Sequence, residues 1–181
     1  MYIDGLLPQP GISLADAAAS ISVSDMMVAV RQHLPGELAK HGINEGKKAI
    51  LNSDSNQTEV ADDDPNETLR ARAGLQFCVG RAAQQLWQQT GAYGEDGPSE
   101  NMLRTAVFLA AVNEYMCAEL LELAGNCARD HHRLKICPRD VFLAITNDEE
   151  LARQFNFSSS SIVICGGGVV PVRHLFFVQL V

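Results

Sequence analysis

Apolar positions along the chain recur at helical spacing in separate stretches, divided by polar or turn-forming residues. From Ser24 to Leu34, Met26, Met27, Val30 and Leu34 share one face, and Ser24 is a suitable N-cap. Pro35-Gly36 breaks that helix, since proline disfavours helix just before it and offers no amide. A second helix is predicted over Glu37 to Leu51. Residues 52–68, NSDSNQTEVADDDPNET, have almost no apolar content and read as a solvated acidic linker. Beyond Leu69, a short helix is predicted over Val79 to Gln89 and a turn-rich loop over Gly91 to Ser99. Met102 to Asp130 is the longest periodic segment, with Val107, Phe108, Val112, Tyr115, Met116, Leu120 and Leu123 forming a wide apolar stripe. His131 to Cys137 reads as a connection in which Lys135-Ile136-Cys137 pair as a strand fragment. Pro138 suits the first position of a new helix, where its missing amide costs nothing. Asn147 and Glu150 suggest a capping box for a last helix over Asp148 to Phe155.

The ends are less regular. Residues 1–19 carry Gly5, Pro8, Pro10 and Gly11 with no sustained period and read as a loose arm. Met1 to Gly11 has no basic start of the secretory-signal kind, and no apolar run approaches the ~18 residues that span a bilayer. After Ser158 the chain is irregular, with Gly166-Gly167-Gly168 before Val169-Val170-Pro171.

Charge alters this picture more by placement than by sum. The net charge is −8, which alone argues against nucleic acid. Residues 1–68 hold four basic residues and eleven acids, whereas residues 69–181 hold ten and eleven. The second part is therefore almost balanced. Five cysteines, scattered at 78, 117, 127, 137 and 165, fit reduced thiols better than a disulfide framework.

A short, a long and a short helix joined by loops is a specific arrangement, and the residues strengthen it. AGLQFCVGR (73–81), FLAAVNEY (108–115), AELLELAGNCARD (118–130), ICPRD (136–140), LAITNDEEL (143–151) and GGVVP (167–171) occur in that order. Across residues 70–175 they resemble core histone 2A. AVRQHLPGELAKHGINEGKKAI (29–50), with Ser20-Ile21-Ser22 before it, resembles the last two helices of histone 2B and the preceding loop. The resemblance implies an all-α fold. Residues 20–51 would form partial 2B-like helices, 52–68 a linker, 69–156 a histone fold and 157–181 a docking tail. The first helix and the long second helix of the 2B fold have no counterpart in residues 1–19. The order 2B then 2A resembles the histone doublets of large DNA viruses, here truncated; a fused cellular gene is the other origin.

Acidic residues are the sharpest candidate site. Glu114, Glu119 and Glu122 fall within roughly a 140° arc of the long helix, and Asp148, Glu149 and Glu150 open the last helix, where the macrodipole favours carboxylates. The resemblance implies that these six form an acidic patch, joined by Glu37 and Glu45 from the 2B-like part. Such a patch takes partners that insert an arginine, through charge-assisted and bidentate contacts.

DNA contact is the second candidate. Arg72, Arg81, Arg133, Lys135 and Arg139 match or nearly match the basic positions of histone 2A, and Ser20 and Ser22 fall where loop hydroxyls meet phosphate. Residues of this kind neutralise phosphates without reading sequence. Departures weaken the grip. Gln84, Trp87 and Gln88 replace basic positions, Glu95 and Asp96 occupy the first loop, and Arg104 is displaced from a minor-groove position. Lys-rich tails are missing, and Asn52 stands where the 2B family carries its ubiquitin-accepting lysine.

Other chemistry finds little support. Cys127, His131-His132 and Cys137 do not have tetrahedral zinc spacing, so no metal is expected. Gly166-Gly167-Gly168 is followed by no G-K-[ST] and no helix, so it is not a phosphate cradle. No nucleophile–base spacing is present, and neither a cofactor nor catalysis is expected. The sequence thus implies a nuclear, chromatin-borne structural protein, or one of virion and viral factory. Its expected partners are histone 2B-, 3- and 4-type proteins, double-stranded DNA held weakly and without sequence preference, and arginine-anchored patch binders, with no membrane. The alternative is a histone-like interaction or sequestering protein that keeps the patch and does not wrap DNA.

Overall fold

A computed structural model describes residues 21–56, 65–90, 99–155 and 164–168; among them every regular element is a helix. The all-α expectation holds. The expected arm, Ser20, Glu95 and Asp96 of the first loop, and the tail beyond 168 lie outside the described residues, as do 57–64 and 156–163. The elements are α1 (Val23–His33), α2 (Gly36–Ser55), α3 (Pro65–Ala73), α4 (Val79–Thr90), α5 (Glu100–Asp130), α6 (Pro138–Asn147) and α7 (Glu149–Phe155). The chain divides into two compact units, within 1–118 and 119–181.

In the first unit, α1 starts earlier than expected. Its N-cap is Ser22, not Ser24: the Asp25 amide donates to Ser22 Oγ at 3.3 Å, and the Ser22 amide donates to Asp25 Oδ2 at 3.0 Å. This reciprocal capping box needs an acid three residues after the cap, which Ser22 has and Ser24 lacks. Helix α2 outruns its predicted end at Leu51, continuing to Ser55, and α3 begins at Pro65, so both described ends of 52–68 are helical. Hydrophobic periodicity misses the added turn of α2 because Asp54 there, and Asn56 just after it, make polar contacts, to Arg104 and to the Arg72 carbonyl. Gly74 closes α3 in the left-handed region at φ +71°. Its amide donates to the Ala71 carbonyl at 3.1 Å and the Leu75 amide to the Arg70 carbonyl at 3.1 Å, a Schellman ending.

Small residues let α2 approach α5 closely. Gly42 and Gly46 are buried on α2, and the Gly46 backbone lies directly on the Phe108 ring, leaving no room for a Cβ. A Cβ on Gly42 would sit 3.5 Å from Val112 Cγ1 and 3.5 Å from Tyr115 Cδ1. Phe108, Val79 and Val107 are buried at the heart of this unit, together with Met26, Val30, Leu38, Ile43 and Leu86. Each such side chain contributes ~1.5–3 kcal/mol. At the other end of α2, Arg104 grips Asp54 with two nitrogens, Nη2 to Oδ2 at 2.9 Å and Nη1 to Oδ1 at 3.2 Å.

In the second unit, α5 ends with His132 in the left-handed region at φ +54°. Arg133 then donates its amide to the Ala128 carbonyl at 2.9 Å. The expected strand fragment at 135–137 is not formed. Three residues have no second strand to pair with here, and the Cys137 amide instead donates to Asp140 Oδ2 at 2.9 Å at the start of α6. Pro138 occupies the first turn as expected. The last helix is capped by Asp148 rather than Asn147: Asp148 Oδ1 accepts the Glu150 amide at 3.0 Å and the Leu151 amide at 2.8 Å. Phe142 and Ile145 of α6 and Leu151 of α7 are buried, while Leu121, Leu134 and Ile136 are exposed.

Candidate DNA and acidic-partner interfaces

Three of the candidate acids belong to the first unit. Glu37 lies in the first turn of α2, with Lys40 Nζ 2.5 Å from Oε1 and His41 Nε2 3.9 Å from Oε2. Its hydrogen bond from Lys40, and then the lysine charge, hold the carboxyl below the usual glutamate range. Glu45 faces Lys48 Nζ at 3.4 Å. Glu114 is half-buried, and its Oε2 accepts the amides of Gln76 at 2.7 Å and Phe77 at 2.9 Å. It therefore pins the loop between α3 and α4 to α5. Glu45 and Glu114 line one open cleft of about 280 Å³, with Lys48, Asn52 and Tyr115 beside them. Two carboxylates with unused lone pairs in one concavity can accept a planar, multi-donor cation.

The other five acids belong to the second unit. On α5, Glu119 is half-buried and Glu122 exposed. At the start of α7, Glu149 is exposed and Glu150 half-buried, while the Asp148 carboxylate caps the helix. Capping uses one oxygen of Asp148 and leaves the other for an external donor.

The basic candidates separate into exposed and internally engaged groups. Arg81 on α4 and Lys135 before α6 are exposed. Arg72 is half-buried in the last turn of α3, with its Nε enclosed and without a hydrogen-bond partner. Arg133 bonds to Asp140, whose carboxylate is fully buried, and donates from Nη1 to Cys137 Sγ at 3.3 Å. Arg139 donates from Nη1 to the Gly167 carbonyl at 2.6 Å and lies 5.4 Å above the Phe142 ring centroid. It thereby holds the 164–168 turn on α6. Arg104 is committed to Asp54. Ser22 donates its hydroxyl to Asp25 Oδ2 at 2.7 Å, beside a carboxylate that disfavours a nearby phosphate.

Sequence reasoning missed Asp54, Asp140 and the Gly167 carbonyl as partners of candidate cations. Asp140 had a readable signal, because the third helical position after a Pro-led start is where a capping acid belongs. Among the described residues no group of metal-type side chains converges, and no helix is long and apolar enough to cross a membrane.

The chain is 46% identical over 104 residues to a probable histone 2A (form 2) of Oryza sativa, covering 58% of this chain and 70% of the rice protein. It is 45% identical over 107 residues to a probable histone 2A (form 1) of Arabidopsis thaliana, with coverage of 59% and 74%. It is 45% identical over 108 residues to a histone 2A of Plasmodium falciparum, with coverage of 58% and 71%. No protein-family profile matches it.

Proposed function

Because the chain belongs to the histone 2A family, we propose that it is a subunit of a nucleosome-like particle that pairs with a histone 2B-type fold and helps wrap DNA. A structural rather than enzymatic role in nuclear chromatin goes with the family. Residues 23–55 are read as the last two helices of a 2B-type fold, carried on the same polypeptide. The observation that carries this reading is the close seating of α2 on α5, with Gly46 against Phe108 and Asp54 against Arg104. Large apolar side chains stand exposed in both units, Val28, Leu51 and Phe77 in the first and Leu121, Leu134 and Ile136 in the second, and apolar surface of this kind supports a further partner.

On this reading Arg81 and Lys135 supply phosphate contacts, Arg72 adds one from its exposed part, and histones of the 3 and 4 types complete the particle. The eight acids serve arginine-bearing partners, with the cleft at Glu45 and Glu114 as one docking point. A second reading draws on the engagement of Arg104, Arg133 and Arg139 with groups of the chain itself. It describes an interaction protein that keeps the acidic surface and does not wrap DNA.

Reconstitution on duplex DNA separates the two. The chain is combined with histones of the 2B, 3 and 4 types and followed by gel shift across a salt series. A discrete particle at low salt that dissociates as salt rises is the expected result. Formation of a histone complex without any DNA-bearing particle leaves the second reading.

A further inference from the structure

We infer that residues 36–55 occupy in cis the face of α5 that the corresponding helix of a separate 2B-type chain would take, so that this segment and an intact 2B-type histone exclude one another. The inference rests on reading α1 and α2 as a 2B-like segment. It adds that the cis segment is a built-in competitor selecting which partner binds.

The contact leaves no space for a second occupant. Phe108 and Val112 are buried under α2, and Gly46 meets the Phe108 ring at a separation that excludes even a methyl group. Polar contacts hold the helix at its far end. Arg104 and Asp54 form a two-point pair at 2.9 and 3.2 Å, and Asn56 Nδ2 donates to the Arg72 carbonyl at 3.1 Å. A chain bearing the pattern of residues 34–50 would need this same strip of α5. It meets an occupant that shares the polypeptide and is present at high effective concentration. The partner that fits without displacement supplies the helices that precede this segment and lacks its own last two.

The test titrates the full-length protein with a 2B-type histone, intact and truncated before its last two helices. The truncated form is expected to bind wild type about tenfold tighter than the intact form. Asp54→Arg places like charges at Arg104, and Gly46→Ala drives a methyl into Phe108; each weakens the seating of the segment on α5. Both are expected to raise affinity for the intact histone, by about threefold for the half-exposed pair and about tenfold for the packing clash. The swap Asp54→Arg with Arg104→Asp returns the wild-type preference. Equal binding of the two histones to wild type, or intact-histone affinity unmoved by both single variants, overturns the exclusion while pairing stands. Failure of both histones to bind any form of the protein overturns the pairing itself, and the exclusion with it.

Discussion

Arg133 bonds through its guanidinium to Asp140, a carboxylate with no exposed surface. The same carboxylate accepts the Cys137 amide at the start of α6. One buried acid therefore fixes the loop, the helix start and the arginine.

Acid should undo this arrangement. The Cys137 amide holds the Asp140 carboxyl below the usual aspartate range, against the opposing effect of burial, with the Cys137 side chain and Arg133 adding to it. Asp25 is lowered likewise, by the Ser22 hydroxyl and then the Ser22 amide. A carboxyl depressed in the folded state contributes stability that is present above its unfolded value, ~3.9, and lost as pH falls through the lower folded value. Thermal melts should therefore show no loss from these groups between pH 7 and 5 and a falling midpoint below about pH 4. Asp140→Asn should melt lower at pH 7 and respond less to acid. An acid response as steep as that of wild type would show that Asp140 does not carry the effect.

Lys135 and Arg139 should behave differently on DNA. Lys135→Ala and Arg81→Ala are each expected to lower the slope of log affinity against log salt by ~0.9 while leaving the melting temperature in place. Arg139→Ala removes the bond to Gly167 and the contact over Phe142, so it should destabilise the second unit. Anisotropy titrations at several salt concentrations, with a melt for each variant, check the division. An Arg139→Ala protein that loses salt slope and keeps its stability contradicts it.

Asp148 carries a cap and a charge, and two substitutions separate them. Asp148→Ala should cost ~0.5–2 kcal/mol through loss of the cap. Asp148→Ser keeps a capping oxygen and removes the charge. If the charge serves an arginine-bearing partner, Asp148→Ser should melt like wild type and bind an arginine-anchored peptide more weakly. Unchanged peptide affinity in calorimetry would restrict Asp148 to its structural role.

Gly168 sits at φ +77°, with the space for a Cβ taken by Arg139 Nη1 at 2.9 Å. Gly168→Ala should cost ~1–2 kcal/mol for the left-handed backbone alone, and Arg139 must shift as well. Amide exchange at Gly167, whose amide donates to the Ile164 carbonyl at 2.9 Å, should speed up in this variant. Exchange as slow as in wild type would mean that the turn tolerates the side chain.

These particulars show what the sequence could disclose. Met26, Val30 and Leu34 announce α1, and the stripe from Val107 to Leu123 announces α5, because burial imposes a period on apolar residues. The start of α1 needed a finer distinction, since Ser22 and Ser24 are equal as caps until Asp25 is counted. The last turns of α2 were hidden because Asp54 and Asn56 act through hydrogen bonds to residues far along the chain, which leave no period. For the candidate sites, residue type was legible and availability was not. Lys135 and Arg133 stand two positions apart in one loop, yet only Arg133 has a buried acid beneath it.

The seating of α2 on α5 also affects how the protein tolerates dilution. Two separate chains pair according to their concentrations, and they part when these fall below the dissociation constant. A helix carried on the same polypeptide meets its groove at an effective concentration on the order of millimolar, whatever the amount of protein. This part of the fold is thus independent of copy number, and it can assemble before any second histone has been synthesised.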